Sequence, residues 1–316
     1  MLEALIVSSM PVFFQEKMQM RPERQSRRHF IKLAGAGVAA SLAGRADSST
    51  TYGSGIAVRG VKPRFELGLA SYTLLKFKLD ETLAMTKRVG LKYICFKSFH
   101  LPLESSDEQI RQVVKKVEDA GLILYGGGVI SMDKEADVDR AFEYAKTAGM
   151  KVIVAAPAPE LLGLVEQKVK QYDIKVAIHN HGPGDKQWSS PDQAYEKIKQ
   201  YDERIGLCHD IGHTQRLGID PVASTEKVGA RLLDVHIKDV TGPTAKDHGC
   251  EIGRGVIDIP GFLRMLIKTN YAGVVSFEYE ENADDPLAGL AESVGYVKGA
   301  LAAVQMPAAK DAPVVP

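Results

Sequence analysis

The sequence predicts an α/β protein with one catalytic domain, a single-domain (β/α)8 TIM barrel. From residue 65 onward, eight short runs rich in β-branched residues alternate with stretches of helical pattern. Successive runs begin about 30 residues apart, which is enough for a strand, a crossover helix and two loops. Eight such units over about 240 residues match the size of one barrel of this type.

The eight predicted strands form a regular series along the chain. In order, they are Glu66–Ser71, Lys92–Lys97, Leu122–Gly127, Lys151–Ala155, Lys175–His179, Ile205–Asp210, Leu233–Ile237 and Val274–Glu278. A doubly wound open sheet is the alternative architecture. That fold usually has a glycine-rich dinucleotide turn after its first strand, and the segment Leu69–Thr73 has no such turn.

The helices between these strands have recognisable borders. The segment Ser105–Glu108 is predicted to be a capping box that opens a helix, and Gly121 closes that helix. Ser190 and Pro191 open another helix, because proline suits the first helical turn. Gly149 ends a third helix just before a strand.

Composition limits the classes of function. The chain has 316 residues, 45% of them hydrophobic, which suits a soluble globular enzyme. Its 40 Lys and Arg balance 40 Asp and Glu, which argues against nucleic acid as a partner, because phosphate binding needs a basic surplus. Three scattered cysteines argue against a disulfide framework or a structural zinc site. No apolar run reaches the roughly 18 residues of a membrane span. The sequence does not determine the oligomeric state.

The N-terminal segment has the layout of a bacterial export signal. The motif S-R-R-H-F-I-K at residues 26–32 precedes a mildly apolar segment, and it resembles a twin-arginine leader closely. A basic amphipathic helix of the mature fold is the alternative. The leader predicts export and a periplasmic location, and Met18 or Met20 would be a better start than Met1. The predicted organisation is a leader over 1–46, a linker over 47–64, the catalytic barrel over 65–303 and a disordered tail over 304–316.

Histidines and carboxylates concentrate at the predicted carboxyl ends of the strands, where barrel enzymes have their active sites. Side chains alternate along a strand, so His179 and His181 share one side of the fifth strand. Asp210, His236 and Glu278 come at a similar depth on three neighbouring strands.

Imidazole nitrogens together with carboxylate oxygens suit a divalent cation such as Mn²⁺, Co²⁺, Mg²⁺ or Zn²⁺. Two carboxylates that were buried together without a cation would repel each other, and one would take up a proton. The sequence therefore predicts a metal site made by His179, Asp210, His236 and Glu278. A hydrogen-bonded polar network at the barrel mouth is the alternative.

Several motifs carry a family resemblance over residues 65–303. They are F-K-S-F-H at strand two, A-I-H-N-H-G-P at strand five, C-H-D-I-G-H-T at strand six, V-H-I-K-D at strand seven, G-R-G-V-I-D after it, and S-F-E-Y-E at strand eight. With these motifs the chain resembles the xylose isomerase-like TIM barrel superfamily of sugar phosphate isomerases and epimerases.

The resemblance implies a ligand set with one departure. The family's epimerases hold a divalent ion with a strand-five Glu, a strand-six Asp, a strand-seven His and a strand-eight Glu. Asp210, His236 and Glu278 match three of these, but His179 stands at the strand-five position. A mechanism with two facing glutamates is therefore in doubt, and Glu160 near strand four is the weaker candidate for the vacant carboxylate role.

Further residues have predicted catalytic roles. Glu278 is predicted to be catalytic, and His213 resembles the family's substrate-contacting histidine. Lys97 and Lys238 are candidates for stabilising an enolate oxygen or for acting as a base, with ordinary surface lysines as the alternative.

Four residues are predicted to contact the substrate, namely His100, His181, Arg254 and Trp188. Arg254 would clamp hydroxyls or a carboxylate, or would instead pair with an acidic neighbour. Trp188 would stack on a sugar face, or would instead serve packing. Asn180 and His181 are further candidates for orienting His179.

The predicted function is a divalent-metal-dependent sugar isomerase or epimerase that removes a proton next to a carbonyl through an enediolate. A 3-keto-glycoside lyase working by β-elimination on the same scaffold is the first alternative, because elimination needs one base rather than two. A non-catalytic sugar-binding barrel is the second. An apurinic-site endonuclease is disfavoured, because it needs more metal ligands and a basic groove. The predicted partner is a small carbohydrate or keto-sugar.

Overall fold

The structure is a computed structural model that describes residues 62–305. The predicted leader and most of the predicted linker and tail lie outside this range.

Eight parallel strands close into a barrel, which confirms the predicted fold class. The barrel strands are β1 Glu66–Ala70, β2 Tyr93–Phe96, β3 Ile123–Met132, β4 Val152–Pro157, β5 Lys175–His179, β6 Ile205–Asp210, β7 Leu232–Ile237 and β10 Val274–Phe277. Each strand pairs with its neighbours in chain order, and β10 pairs with β1 to complete the ring. Two further strands, β8 Asp239–Val240 and β9 Gly249–Cys250, form a small antiparallel ribbon after β7.

The predicted strand bounds agree with the structure to within two residues except in β3. This strand was expected to end at Gly127, but it continues to Met132. Its last residues, Ile130–Met132, pair with Ala155–Pro157 of β4 after a shift of register. The glycines in the middle of β3 therefore do not end the strand, because pairing with β4 extends the strand beyond them.

Helices surround the barrel. They are α1 Leu79–Arg88, α2 Asp107–Asp119, α3 Glu135–Thr147, α4 Leu162–Tyr172, α5 Pro191–Ile198, α6 Ile211–Gln215, α7 Pro221–Val228, α8 Ile259–Lys268 and α9 Leu287–Val304. Short 3-10 turns cover Ser71–Leu74, Pro159–Leu161 and Gly229–Arg231.

Side-chain caps fix where two of these helices begin. The Ser190 hydroxyl accepts a hydrogen bond from the Gln193 amide at the start of α5, as predicted. At α2 the predicted box was placed one residue too early. Ser106 caps the helix and exchanges hydrogen bonds with Gln109, because the chain turns into helical geometry only at Asp107.

The barrel wall is tightly packed. In β6, a side chain on Gly206 would come within 2.3 Å of the Arg231 carbonyl oxygen, so only glycine fits there. The main core lies between the strands and the helices, with Ile153, Ile178 and Phe277 among its fully buried members.

One helix of the described residues, α9, is long and apolar enough to cross a membrane by length and composition alone. Leu290, Val294 and Val297 of this helix are buried in the protein. These residues recur at helical spacing, so one face of α9 packs on the fold.

Candidate metal centre

Four buried side chains converge at the carboxyl mouth of the barrel. His179 ends β5, Asp210 ends β6, His236 lies near the end of β7, and Glu278 follows β10. Asp210 and His236 are register partners across the two neighbouring strands. One ligand atom from each of the four residues lies within 4.8 Å of the other three. Parallel strands of a closed barrel present their ends to one mouth, and this places the four groups together.

Asp210 divides its two oxygens between the backbone and the cluster. Oδ1 accepts a hydrogen bond of 2.8 Å from the His213 amide and thereby caps α6. Oδ2 faces inward, 3.4 Å from His179 Nε2 and 3.0 Å from Lys238 Nζ. The helix cap therefore fixes the orientation of the carboxylate that faces the cluster.

The cluster fits a divalent cation. Within the described part of the chain, both ring nitrogens of His179 and the Nε2 of His236 are buried without a hydrogen-bond partner, whereas His236 Nδ1 lies 3.0 Å from Glu278 Oε2. Buried polar atoms normally have a partner, so unpartnered ring nitrogens in this cluster are typical of a ligand-binding site. Burial lowers the pKa of His179 well below its ordinary value, which keeps the imidazole neutral as a metal ligand must be.

Two lysines enclose the carboxylates. Lys238 Nζ lies 3.0 Å from Asp210 Oδ2, 3.0 Å from Glu278 Oε2 and 2.9 Å from Glu280 Oε1. Lys97 Nζ lies 3.1 Å from Glu278 Oε1. The two ammonium groups thus compensate the charge of the buried carboxylates.

The pKa shifts follow from these contacts. Burial alone would raise the pKa of the Glu278 carboxyl, but His236, Lys238 and Lys97 outweigh burial and hold the pKa well below its ordinary value. Burial opposes the charge of Lys238, yet Asp210, Glu278 and Glu280 raise its pKa well above the ordinary value. Glu278 is therefore a carboxylate and Lys238 an ammonium group, so a role for Lys238 as a base is disfavoured.

A second polar layer lies inside the barrel below the cluster. The Tyr125 hydroxyl donates to Asp234 Oδ1 over 3.1 Å and lies 2.5 Å from Ser276 Oγ. Asp234 Oδ2 lies 3.9 Å from His236 Nε2. Burial raises the pKa of Asp234 to about 6.

Three neighbours complete the immediate surroundings. The His181 ring packs edge-on against His179, with centroids 4.5 Å apart, and His213 Nε2 lies 3.9 Å from Asp210 Oδ2. Asn180 was a candidate for orienting His179, but it bonds to the backbone of Asp210 in both directions instead. Asn180 points away from the mouth because side chains alternate along the strand.

Two predicted substrate residues lie in the interior instead of the mouth. Trp188 is 0% exposed, and its indole N–H donates to the Pro157 carbonyl over 2.8 Å, so it has no surface for stacking on a sugar. His100 is buried, and its Nε2 lies 3.0 Å from the Phe77 carbonyl and 2.9 Å from Thr82 Oγ1. The packing alternative therefore describes Trp188, and His100 is directed away from the substrate site.

Two predicted polar residues are exposed and stay outside the cluster. Arg254 makes a two-point ion pair with Glu292 of α9, at 2.6 and 2.7 Å, which agrees with the acidic-neighbour alternative. Glu160 is exposed on a 3-10 turn and is not one of the four converging residues. His179 therefore takes the strand-five position without a substitute carboxylate.

Asp234 and Glu280 had no predicted role, although the sequence contains a signal for both. Asp234 precedes His236 by two residues and Glu280 follows Glu278 by two, so the alternation of side chains places each on the same side as its partner.

Comparison with known proteins agrees with this architecture. Residues 65–299 match the family described as xylose isomerase-like TIM barrel. The chain belongs to this family. A rhizopine catabolism protein, MocC, of Rhizobium meliloti is 29% identical over 139 residues, which are 38% of this chain and 42% of the relative. An inosose isomerase of Bacillus subtilis is 24% identical over 156 residues, which are 43% of this chain and 56% of the relative.

Solved structures share the fold of this xylose isomerase-like barrel. The 3-keto-D-glucoside 4-epimerase of E. coli superposes with a TM-score of 0.61 at 16% identity, over 74% of this chain and 99% of that protein. The chain spans about half the length of the curated relatives it matches.

Proposed function

We propose that this barrel is a divalent-metal-dependent isomerase or epimerase of small keto-sugars or keto-polyols. The observation that carries the proposal is the convergence of His179, Asp210, His236 and Glu278 within 4.8 Å at the carboxyl mouth. The family match, an inosose isomerase among the relatives and a 3-keto-glucoside epimerase among the similar structures support this substrate class.

The four converging residues would hold the cation. A divalent ion held by these residues would polarise a carbonyl and would stabilise the negative charge that develops when a neighbouring carbon loses its proton. The Glu278 carboxylate is the base that accepts this proton, because it is ionised and belongs to the converging set. The Lys238 and Lys97 ammonium groups lie within 3.1 Å of that carboxylate and stabilise the resulting oxyanion by charge.

A β-eliminating lyase on 3-keto-glycosides is the second candidate, and one observation favours it. The strand-five position carries a neutral imidazole, so Glu278 is the single carboxylate of the converging set that does not also cap a helix. Epimerisation through two mirrored carboxylates needs a second base, whereas elimination needs one base and one acid. Lys238 would be the acid that protonates the leaving oxygen, because it carries a proton and its Nζ lies 3.0 Å from Glu278 Oε2.

The test follows proton exchange and bond cleavage together. Mn²⁺-loaded protein is incubated in D₂O with methyl 3-keto-β-D-glucoside and with inosose, and the products are followed by NMR. Deuterium uptake without release of methanol supports an isomerase or epimerase, and release of methanol supports the lyase. A protein that binds these sugars equally well after chelation and exchanges no proton would be a non-catalytic sugar-binding barrel.

Glu278→Gln tests the assigned base. We expect a loss of deuterium exchange of about 10²- to 10⁴-fold, because the amide cannot accept the proton. Glu118→Gln is the matched control, because Glu118 is exposed near the end of α2, on the opposite side of the barrel from the strand ends. Equal exchange in both variants would contradict the role of Glu278.

We also propose that the protein is exported by the twin-arginine route to the periplasm. The support is the S-R-R-H-F-I-K motif at residues 26–32, followed by an apolar segment and small residues. A periplasmic enzyme meets unphosphorylated sugars, which agrees with the proposed substrate class.

A further inference from the structure

Two exposed aromatic rings form a shelf at the rim of the barrel mouth. Tyr72 lies on the 3-10 turn that follows β1, and Phe99 lies in the loop that follows β2. Their ring centroids are 6.1 Å apart at an interplanar angle of 53°. The residues are 37% and 45% exposed, respectively. We name this pair the aromatic shelf.

The aromatic shelf adjoins the assigned base. Lys97 Nζ lies 3.1 Å from Glu278 Oε1 and 5.2 Å from the centroid of the Tyr72 ring. One ammonium group therefore contacts both the carboxylate and the shelf. Through Lys97, the Tyr72 ring is the member of the shelf that is linked to Glu278.

The shelf is supported from below. The His100 ring packs edge-on against Phe99 with centroids 4.8 Å apart. His100 is itself fixed by the Phe77 carbonyl, and since a carbonyl only accepts, Nε2 carries the proton. The buried histidine thus holds Phe99 in place, although it does not reach the substrate cluster.

Exposure of these rings is unusual within the described residues. Tyr296 is the one other aromatic residue there with comparable exposure, and it lies on the outer helix α9. Exposed apolar surface next to a polar site is typical of ligand recognition. Phe99 offers no polar atom and Tyr72 offers one hydroxyl, so the shelf itself supplies few hydrogen-bond partners for the hydroxyls of a second sugar ring.

We propose that the aromatic shelf is a subsite for an aromatic ring attached to the substrate, so that the substrate class is aryl glycosides in keto form. The proposal rests on the proposed function for the position of the sugar ring. Stacking of aromatic rings in tilted or offset arrangements supplies the recognition, and the Lys97 cation above Tyr72 holds that ring in place.

The test compares an aryl substrate with a methyl substrate on Mn²⁺-loaded protein. For the unmodified chain we expect kcat/KM for phenyl 3-keto-β-D-glucoside to exceed that for the methyl compound by about five- to ten-fold. Phe99→Ala should remove most of this preference. It should lower kcat/KM for the phenyl compound and leave kcat/KM for the methyl compound unchanged. Tyr296→Ala is the matched control, because it removes an exposed ring far along the chain on α9, and it should keep the preference.

A binding measurement separates this proposal from the proposed function. Phenyl β-D-glucoside has no keto group for the proposed proton abstraction, so calorimetry with this compound and its methyl analogue reports the shelf without catalysis. Weaker binding of the phenyl compound in Phe99→Ala, with the methyl compound unchanged, supports the shelf even if no substrate is turned over. Turnover of both keto-glycosides with equal kcat/KM, or tighter binding of a disaccharide than of the phenyl compound, would overturn the shelf while leaving the proposed function intact.

Discussion

Charge balance at single residues determines how the centre behaves without a cation. Lys238 places one buried ammonium group among the carboxylates of Asp210, Glu278 and Glu280. This ion cluster compensates the cost of burying negative charge. A bound divalent ion would share the same two buried carboxylates, so the lysine and the ion make partly redundant contributions to stability.

Lys238→Met tests this redundancy. Removing one member of a buried ion cluster leaves uncompensated charge, so we expect the metal-free variant to lose about 3 kcal/mol of unfolding free energy. A divalent ion should restore more stability in this variant than in the unmodified protein, because it replaces the lost charge. Urea unfolding with and without Mn²⁺ measures both quantities.

Lys268→Met is the matched control, since Lys268 pairs with Glu226 at the exposed surface. An exposed pair contributes little, so the loss should stay below about 1 kcal/mol. If Mn²⁺ stabilises the Lys238 variant no more than the unmodified chain, the Lys238 ammonium group and the metal ion do not share the same carboxylates.

Among the secondary-structure elements, the long connection after β7 depends on one carboxylate. Asp239 is buried, and its Oδ2 accepts from the amides of Gly253 and Gly255 at 2.9 and 3.0 Å. Its Oδ1 accepts from the amides of Val240 and Ile257. The residue directly after Lys238 therefore ties down the loop beside the candidate centre.

Asp239→Asn should loosen this connection. An amide has one acceptor oxygen, and its NH₂ group would face two backbone N–H groups, so we expect a loss of about 3 kcal/mol. Urea unfolding measures the loss, and limited proteolysis should cut within residues 241–256 first. Asp284→Asn is the control, because Asp284 pairs with Lys76 at the surface. Equal stability of the two variants would contradict the anchoring role.

At the scale of the whole molecule, closure of the barrel assembles the centre. The four residues of the centre are spread between positions 179 and 278. They meet because β5, β6, β7 and β10 lie side by side and all end at one mouth. A ring of parallel strands has no free edge, so the four converging side chains keep a fixed relative depth.

The proposed export also concerns the whole molecule, because the twin-arginine route carries folded proteins. Replacing Arg27 and Arg28 together by lysine should retain the protein in the cytoplasm of a bacterial host. Cell fractionation with detection of the barrel by antibody measures the distribution. The control replaces Arg21 and Arg24 by lysine, because these residues lie upstream of the motif. The same distribution for both variants would contradict export by this route.

The sequence by itself determined the barrel and the residues that meet at its mouth. Strand spacing fixes the number of β/α units, and the alternation of side chains fixes which residues of a strand share a side. His179, Asp210, His236 and Glu278 could be named in this way, because they stand on regular strands or directly after them.

The tertiary structure alone decided where the side chains of the loop residues point. Trp188, Arg254 and His100 were predicted to face the substrate, but packing, an ion pair and a carbonyl acceptor direct them elsewhere. Loops lack a repeating direction of side chains, so contacts made across the fold determine where each residue points. For the same reason, the contact between Tyr72 and Phe99 at the rim could not be predicted. It depends on two separate loops and on closure of the barrel.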